Sequence, residues 1–456
     1  MDAGTELLKA VDGREAEWLA LVRGLVRQPS PNPPGDTQAA AAFVLAWLAE
    51  RGHRAEVIAG QPTLPNVVAT LDNGPGRHLV LNGHLDTFPV GDPALWTRDP
   101  YGGEIAEGKI FGRGVSDMKA GLAASLAAFT LLAERRAAWA GRVTLAAVAD
   151  EETMGPWGAS YLVDHRPRLR ADAALIGEPS TPRTVRFGER GMVWVRLVAR
   201  GQSAHGAYPH AGWNAIFAIA AALQELRELE GLAWAVPREV TERIDAAREA
   251  TDALLGPGTS DTLASVTVNA GLIQGGTKVN LVADRCEAEV DVRLPPGVST
   301  GEILRHVGRV VRRHRGMRYE VLHLSEPNWT SPDLPFMRTV RDAAARVRGE
   351  APHFNISSPG TDSRVFRRVG IPVAVFGPTP HGMGQADEHV TVADFLDTVR
   401  VHALAALEFL RPAGRAPARP PRGLAANRSI ALASVAPPGG APRKADAATA
   451  RPGRRR

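Results

Sequence analysis

Apolar positions recur along this chain with two periods, and the change from one to the other divides it. TQAAAAFVLAWLAERG, from Thr37 to Gly52, has helical spacing and ends in a glycine, the ordinary stop of a helix. HLVLNGHLD and VTLAAVADEE are short β-rich runs that finish in acids, and MKAGLAASLAAFTLLAERR between them is a long alanine and leucine helix. Strand, helix, strand is the signature of an α/β sheet, whose ligand sites lie off the carboxyl ends of the strands. From about Phe187 the pattern alternates. MVWVRLVARG and CEAEVDVRL read as strands with one covered face, and NAIFAIAAALQELREL between them reads as an amphipathic helix. After Pro295 come helices such as TGEILRHVGRVVRRH, then the buried strand IPVAVFGP and a last helix, VADFLDTVRVHALAALEFL. The pattern predicts an α/β domain made of residues 1–186 and 298–410, with an α+β domain, 187–297, inserted into it. Glu230 to Ser265 fits neither period and stays unassigned, and there is no internal repeat.

At 456 residues, with 44% hydrophobic and 23% charged residues, the chain can fill two large domains, a common domain being about 150 residues. The net charge of +5 suggests an anionic partner until it is located. Residues 411–456 carry 11 Lys and Arg against one acid, Asp446, a balance of +10 that leaves −5 for the rest. This Pro/Ala/Arg-rich tail has no sustained apolar period and cannot offset the entropy of ordering, so it is expected to be a disordered appendage. Nucleic-acid binding is not expected of the mildly acidic body. No run of 18 apolar residues occurs, and the opening MDAGTELLKAVDG has acids where a signal peptide has a basic start. Neither membrane spanning nor Sec export is expected, which makes the expected location cytoplasmic. The single cysteine, Cys286, excludes a disulfide framework and a cysteine-rich zinc cluster. Any metal must be held by His, Asp and Glu.

Such residues stand at four strand ends. His84 and Asp86 in GHLD share a strand face at spacing i, i+2. An imidazole can bind a metal through one nitrogen while a carboxylate orients the ring from behind; a surface histidine with a hydrogen-bonded neighbour has the same sequence. Asp117 in GRGVSDMKAG directly precedes a helix, where capping is the commonest role of an aspartate. Asp150, Glu151 and Glu152 end a strand before Gly155 and Pro156, and strand alternation predicts that the two glutamates diverge, one toward a metal and one toward a water. Glu178 ends ADAALIGE. Each has a bland alternative, but four such sites would converge along one sheet edge.

The series GHLDTFP, GRGVSDMKAG, ADEETMG and GEPS resembles, in order and spacing, the co-catalytic zinc hydrolase family containing acetylornithine deacetylase, succinyl-diaminopimelate desuccinylase, aminoacylase and a glutamate carboxypeptidase. The resemblance covers roughly residues 10–410. It implies a zinc-exopeptidase-like catalytic domain, a mixed sheet between helices, with a ferredoxin-like lid or dimerisation domain. It further implies that His84 binds the first of two divalent ions and that Asp86 orients it. Asp117 would bridge both ions, Glu178 would complete the first site, Glu152 would bind the second, and Glu151 would be the general base. Two divalent ions against the three ligand carboxylates leave one positive charge, which a bridging hydroxide cancels. That hydroxide would attack the amide.

RGMVWVRLVARGQSAHGAYPH resembles the start of the family's lid, which implies that His205 reaches the partner subunit's active site in a homodimer. Asn280 and Arg293 match lid positions that hold the substrate's polar end, and SPGTDSR, with Gly360 and Thr361, approximates the family's substrate loop. The chain departs from the family at HGMGQADEHV. Gly384 stands where the family has the second metal's histidine, leaving His381 or His389 as substitutes, with His381 preferred because Gly382 and Gly384 free the loop. The expectation is a hydrolase using zinc, cobalt or manganese on a small N-acyl amino acid or dipeptide. The alternatives are a metallo-carboxypeptidase or dipeptidase, and a catalytically silent binder.

Overall fold

The computed structural model describes residues 2–412. The expectation of a disordered basic tail therefore falls, beyond Pro412, outside the described residues. His78–His84 runs through the middle of a nine-stranded mixed sheet, flanked by the parallel strands Gly141–Val148 and Ala173–Ile176. Val373–Val375 continues the parallel block, while Asn66–Asn73 and Ala55–Ile58 extend the other side antiparallel. Strands covered on both faces read as unbroken apolar runs, which is why periodicity marked them only as short β-rich segments. Leu79 and Leu81 enter a core shared with the helices Ala120–Ala133 and Val392–Leu410. Val80 points the other way, to Val148, Ile176, Leu162 and Phe366. The stretch Val115–Ala133 has the length and hydropathy of a membrane span, yet 94% of it is buried inside the protein. It is a core helix.

A second, four-stranded antiparallel sheet has the order Thr267–Gly275, Arg285–Leu294, Gly191–Arg200, Met317–Ser325. The helices Ala215–Arg227 and Thr300–Arg313 cover one face, where Val193, Val195 and Leu197 meet Ile219, Leu226 and Ile303. Strand-helix-strand twice over, in this spatial order, is the ferredoxin-like arrangement.

The insert's expected boundaries, 187–297, need three corrections. The strand Thr184–Glu189 lies in the first sheet, so the second layer begins at Gly191 rather than Phe187. Thr300–Arg313 and Met317–Ser325, assigned by position to the returning α/β domain, complete the second sheet instead. An amphipathic helix has the same period on either layer, and only its packing partner distinguishes them. The unassigned segment forms three helices, Arg238–Ala246, Arg248–Leu255 and Thr259–Leu263, whose Val240, Ile244 and Leu263 pack into the first core. The chain thus leaves the second layer and returns to it within one excursion.

Candidate metal centre

The strands ending in His84, Val148 and Ile176 are adjacent in the sheet, so the segments that follow them emerge side by side. They deliver His84 and Asp86, the turn from Asp150 to Glu152, and Glu178. Asp117 arrives from the segment before the Ala120–Ala133 helix, which packs across the strand ends. That packing requires glycine: a Cβ on Gly121 would lie 1.8 Å from the carbonyl oxygen of Gly177. The helix start and the residue before Glu178 are therefore in backbone contact.

His84 is fully buried. Its Nδ1 lies 2.9 Å from the main-chain oxygen of Asp86, and its Nε2 lies 3.1 Å from Asp117 Oδ1 and 3.5 Å from Glu178 Oε1. The Asp86 carboxylate stands 3.6 Å from Nδ1 and accepts hydrogen bonds from the backbone N–H groups of Glu151 and Glu152, at 3.2 and 3.0 Å. It holds the following turn as well as the ring. Asp117 does not cap the helix with its side chain; the helix has no side-chain cap, and Asp117 turns to His84.

Glu151 and Glu152 lie in a turn beyond the strand, so strand alternation does not govern them. Asp150 adopts φ 63° and accepts from Thr153 Oγ1 and the backbone N–H of Trp157. A Cβ on Gly155 would fall 1.9 Å from its Oδ2, so the glycine leaves room for this clamp. Atoms able to ligate a cation gather in two overlapping groups: His84, Asp117 and Glu152; and His84, Glu151 and Glu178.

Three side chains of this site carried no signal in the sequence reading. Asn32 donates from Nδ2 to both Asp86 and Asp150, at 2.9 and 3.2 Å. Arg364 Nη1 stands 3.3 Å from Glu151 Oε1, and Asp362 accepts from Asn82 Nδ2 at 3.2 Å. Asn32 lies far from every motif. Asp362 and Arg364 sit inside SPGTDSR, next to the Gly360 and Thr361 that the resemblance marks.

His381 is not brought to this cluster. Gly382 and Gly384 do take left-handed φ, 63° and 76°, but they close a hairpin in which His381 and His389 exchange backbone hydrogen bonds. The two rings stack 4.9 Å apart, and the charged groups facing His381 are His389, Asp394 and Lys109. The freedom that was expected to turn His381 inward closes the hairpin instead. His389 occupies the adjoining strand, His389–Thr391. Glu388 is buried and pairs with Arg113 at 2.5 Å, and its other oxygen accepts from Ser116 N and Oγ. This ties the hairpin to the segment carrying Asp117.

His205 and Asn280 meet on one exposed loop pair, the N–H of Gly206 donating to the Asn280 carbonyl at 2.8 Å. Arg293 is paired with Asp291 on its own strand at 2.9 Å. Within one chain none of the three lines the cavity that opens on the acids, whereas Gly360 and Thr361 do. That cavity measures about 230 Å³.

The donor set suits divalent cations. Burial first, and the neighbouring Asp117 second, hold Glu152 and Glu178 well above the ordinary carboxylate range, and Glu151 is pushed up to about 8 by burial and then by Asp362 and Asp117. Burial would depress His84, but Asp117, Glu178 and Asp86 together raise it well above 6.5. Without cations the cluster retains protons. Glu152 Oε1 is buried and has no hydrogen-bond partner among the described residues. A buried acceptor left so is costly unless something coordinates it.

Residues 80–408 match the profile of Peptidase family M20/M25/M40. The chain is 30% identical over 394 residues to a succinyl-diaminopimelate desuccinylase of Rhodospirillum centenum, covering 84% of this chain and 95% of that one. Among solved structures it resembles an M20 family metallo-carboxypeptidase from Sulfolobus solfataricus, with TM-score 0.73 and 18% identity over 86% of this chain and 99% of the other. It also resembles human carnosine dipeptidase 1, with TM-score 0.70 and 17% identity over 90% and 99%.

Proposed function

The chain belongs to peptidase family M20/M25/M40, and from that premise we propose that it hydrolyses the amide bond of a small N-acyl amino acid, using two divalent ions, zinc first among them. It is a hydrolase of amide bonds by family. The observation that carries the finer reading is the convergence of His84, Asp117, Glu151, Glu152 and Glu178 in one cluster whose four carboxylates line a cavity. His84, Asp117 and Glu178 would hold one ion, and Asp117 with Glu152 the other. When bound, such ions supply Lewis acidity toward a carbonyl and acidify water to near neutrality. Glu151 takes the proton of the attacking water and passes it to the leaving amine; Arg364 and the anchored turn keep its carboxylate in place. Asp86 fixes the His84 ring and the turn together. Gly360 and Thr361 line the substrate's cavity.

Chain loaded with zinc, cobalt or manganese is expected to cleave members of an N-acyl amino acid and dipeptide panel followed by amine release. Cleavage of dipeptides alone would favour the dipeptidase reading. No cleavage by any loaded form would leave the silent-binder reading.

The same reading includes a homodimer through the second sheet. It is supported by the exposed position of His205 away from the acids of its own chain, and by exposed apolar residues on that layer, Phe217, Ile273 and Val279 among them. A His205→Ala chain mixed with a Glu151→Ala chain is expected to regain activity, because some mixed sites then contain both groups. No recovery despite demonstrated subunit exchange contradicts the trans arrangement.

A further inference from the structure

We propose that the group entering the cavity beside the acid cluster is bulky and apolar rather than a second carboxylate, and that the excursion from Arg238 to Leu263 sets this preference. The inference rests on the amide-hydrolase reading and narrows its substrate class. Leu254, Leu255 and Leu263 of the excursion line the same cavity as Phe88, Ile356 and Met383, and Asp117, Glu151, Glu152 and Glu178 line it too. A substrate that reacts at the acids and fills the cavity meets these leucines, with Ser180, Thr181 and Thr184 also in the lining. The excursion's lining contribution is Ala250, Thr251 and the three leucines, without one charged group.

This wall is fixed rather than a loose loop. Val240 and Ile244 are anchored in the first core, and Glu239 accepts from Trp329 Nε1 at 2.9 Å and Ser331 Oγ at 3.0 Å. Asn355 Nδ2 donates to Thr251 Oγ1 at 2.6 Å, joining the wall to the strand His353–Ser357. Where the chain turns back to the second sheet, Arg190 Nη2 holds the Ser265 carbonyl and Thr267 Oγ1, at 2.8 and 2.9 Å. Leu255 nonetheless keeps 52% of its surface exposed, apolar area that a ligand can cover.

Arg186 is the one cation lining the cavity among the described residues, and it is the feature that would favour an acidic substrate group. Its Nη1 donates to Ser357 Oγ at 3.1 Å, and the charges around it are Glu178, Asp117 and Glu189. Acidic probes measure its pull against that of the apolar wall.

The test uses zinc-loaded full-length Glu151→Gln chain for binding and native chain for turnover. One probe series keeps glycine constant and varies the acyl group among isovaleryl, phenylacetyl and succinyl. The other keeps an acetyl group and varies the amino acid among leucine, phenylalanine and glutamate. In at least one series the apolar members are expected to bind at least tenfold tighter than the acidic one, about the least that one methylene is worth in a hydrophobic pocket. Leu255→Asp and, separately, Leu254→Ala should bring that ratio to within threefold, with zinc content and melting temperature of the solvent-facing Leu255→Asp unchanged. Equal or tighter binding of the acidic member in both series, no binding in either, or a preference that survives both substitutions overturns the inference. Apolar preference in binding without cleavage by native chain would instead defeat the hydrolase reading and leave this one standing.

Discussion

Glu151→Gln is expected to lower kcat by roughly 10²- to 10⁴-fold, the contribution of a positioned general base, while zinc stoichiometry stays unchanged. Glutamine keeps the shape of the side chain and loses its proton affinity. The turn beneath it does not depend on the carboxylate, because Asp86 holds the turn through the backbone N–H groups of Glu151 and Glu152. Arg364 retains the Thr361 carbonyl as a partner, at 2.7 Å, when the carboxylate is gone. The measurement is kcat against metal content on the same preparation. Since Glu151 lies within one ligand group with His84 and Glu178, loss of an ion on substitution would identify it as a ligand rather than a base. An unchanged rate would contradict both roles.

Stripping metal with a chelator is expected to abolish hydrolysis and to make stability fall as pH rises. Burial, then Asp362 and Asp117, raise Glu151 from 4.5 to about 8 in the metal-free fold. Between those values the folded chain binds a proton that the unfolded chain has released, so unfolding becomes easier as pH increases through the window. Glu152 and Glu178 are raised in the same sense. His84 adds to it: its stabilisation is complete below 6.5 and is lost as pH climbs through its raised value. Cations bound in place of these protons remove the dependence. Thermal midpoints of stripped and zinc-loaded chain at pH 5, 6.5 and 8 should therefore diverge with increasing pH. At free zinc a thousandfold above Kd each ion held only by the folded chain adds about 4 kcal/mol. A gap that is constant with pH would show that the ions do not replace protons at these carboxylates.

Much of the candidate metal centre was legible because its candidate ligands, all except Asp117, stand at or just beyond strand ends. A strand that ends in His-Leu-Asp, Asp-Glu-Glu or Gly-Glu announces where its polar residues emerge, and parallel neighbours bring those ends together. Asn32 was not legible, since it reaches Asp86 across a separation of 54 residues from a loop with no pattern. The placing of His381 failed for a different reason. Two glycines declare that a loop can bend, but the direction depends on what closes it, and here the pairing of His381 with His389 and the burial of Glu388 against Arg113 decide.

Period and order along the chain are enough for the α/β class, for the presence of a second layer and, together with the family resemblance, for the acids and the histidine that converge. Those properties rest on the period and order of residues, which are local. Packing in three dimensions makes Thr300–Arg313 and Met317–Ser325 complete the second sheet, brings the segment from Arg238 to Leu263 back to wall the cavity, and keeps His381 with His389. Each of these is a choice of which surface a segment buries. An amphipathic period states that a face will be covered and carries no information about what covers it.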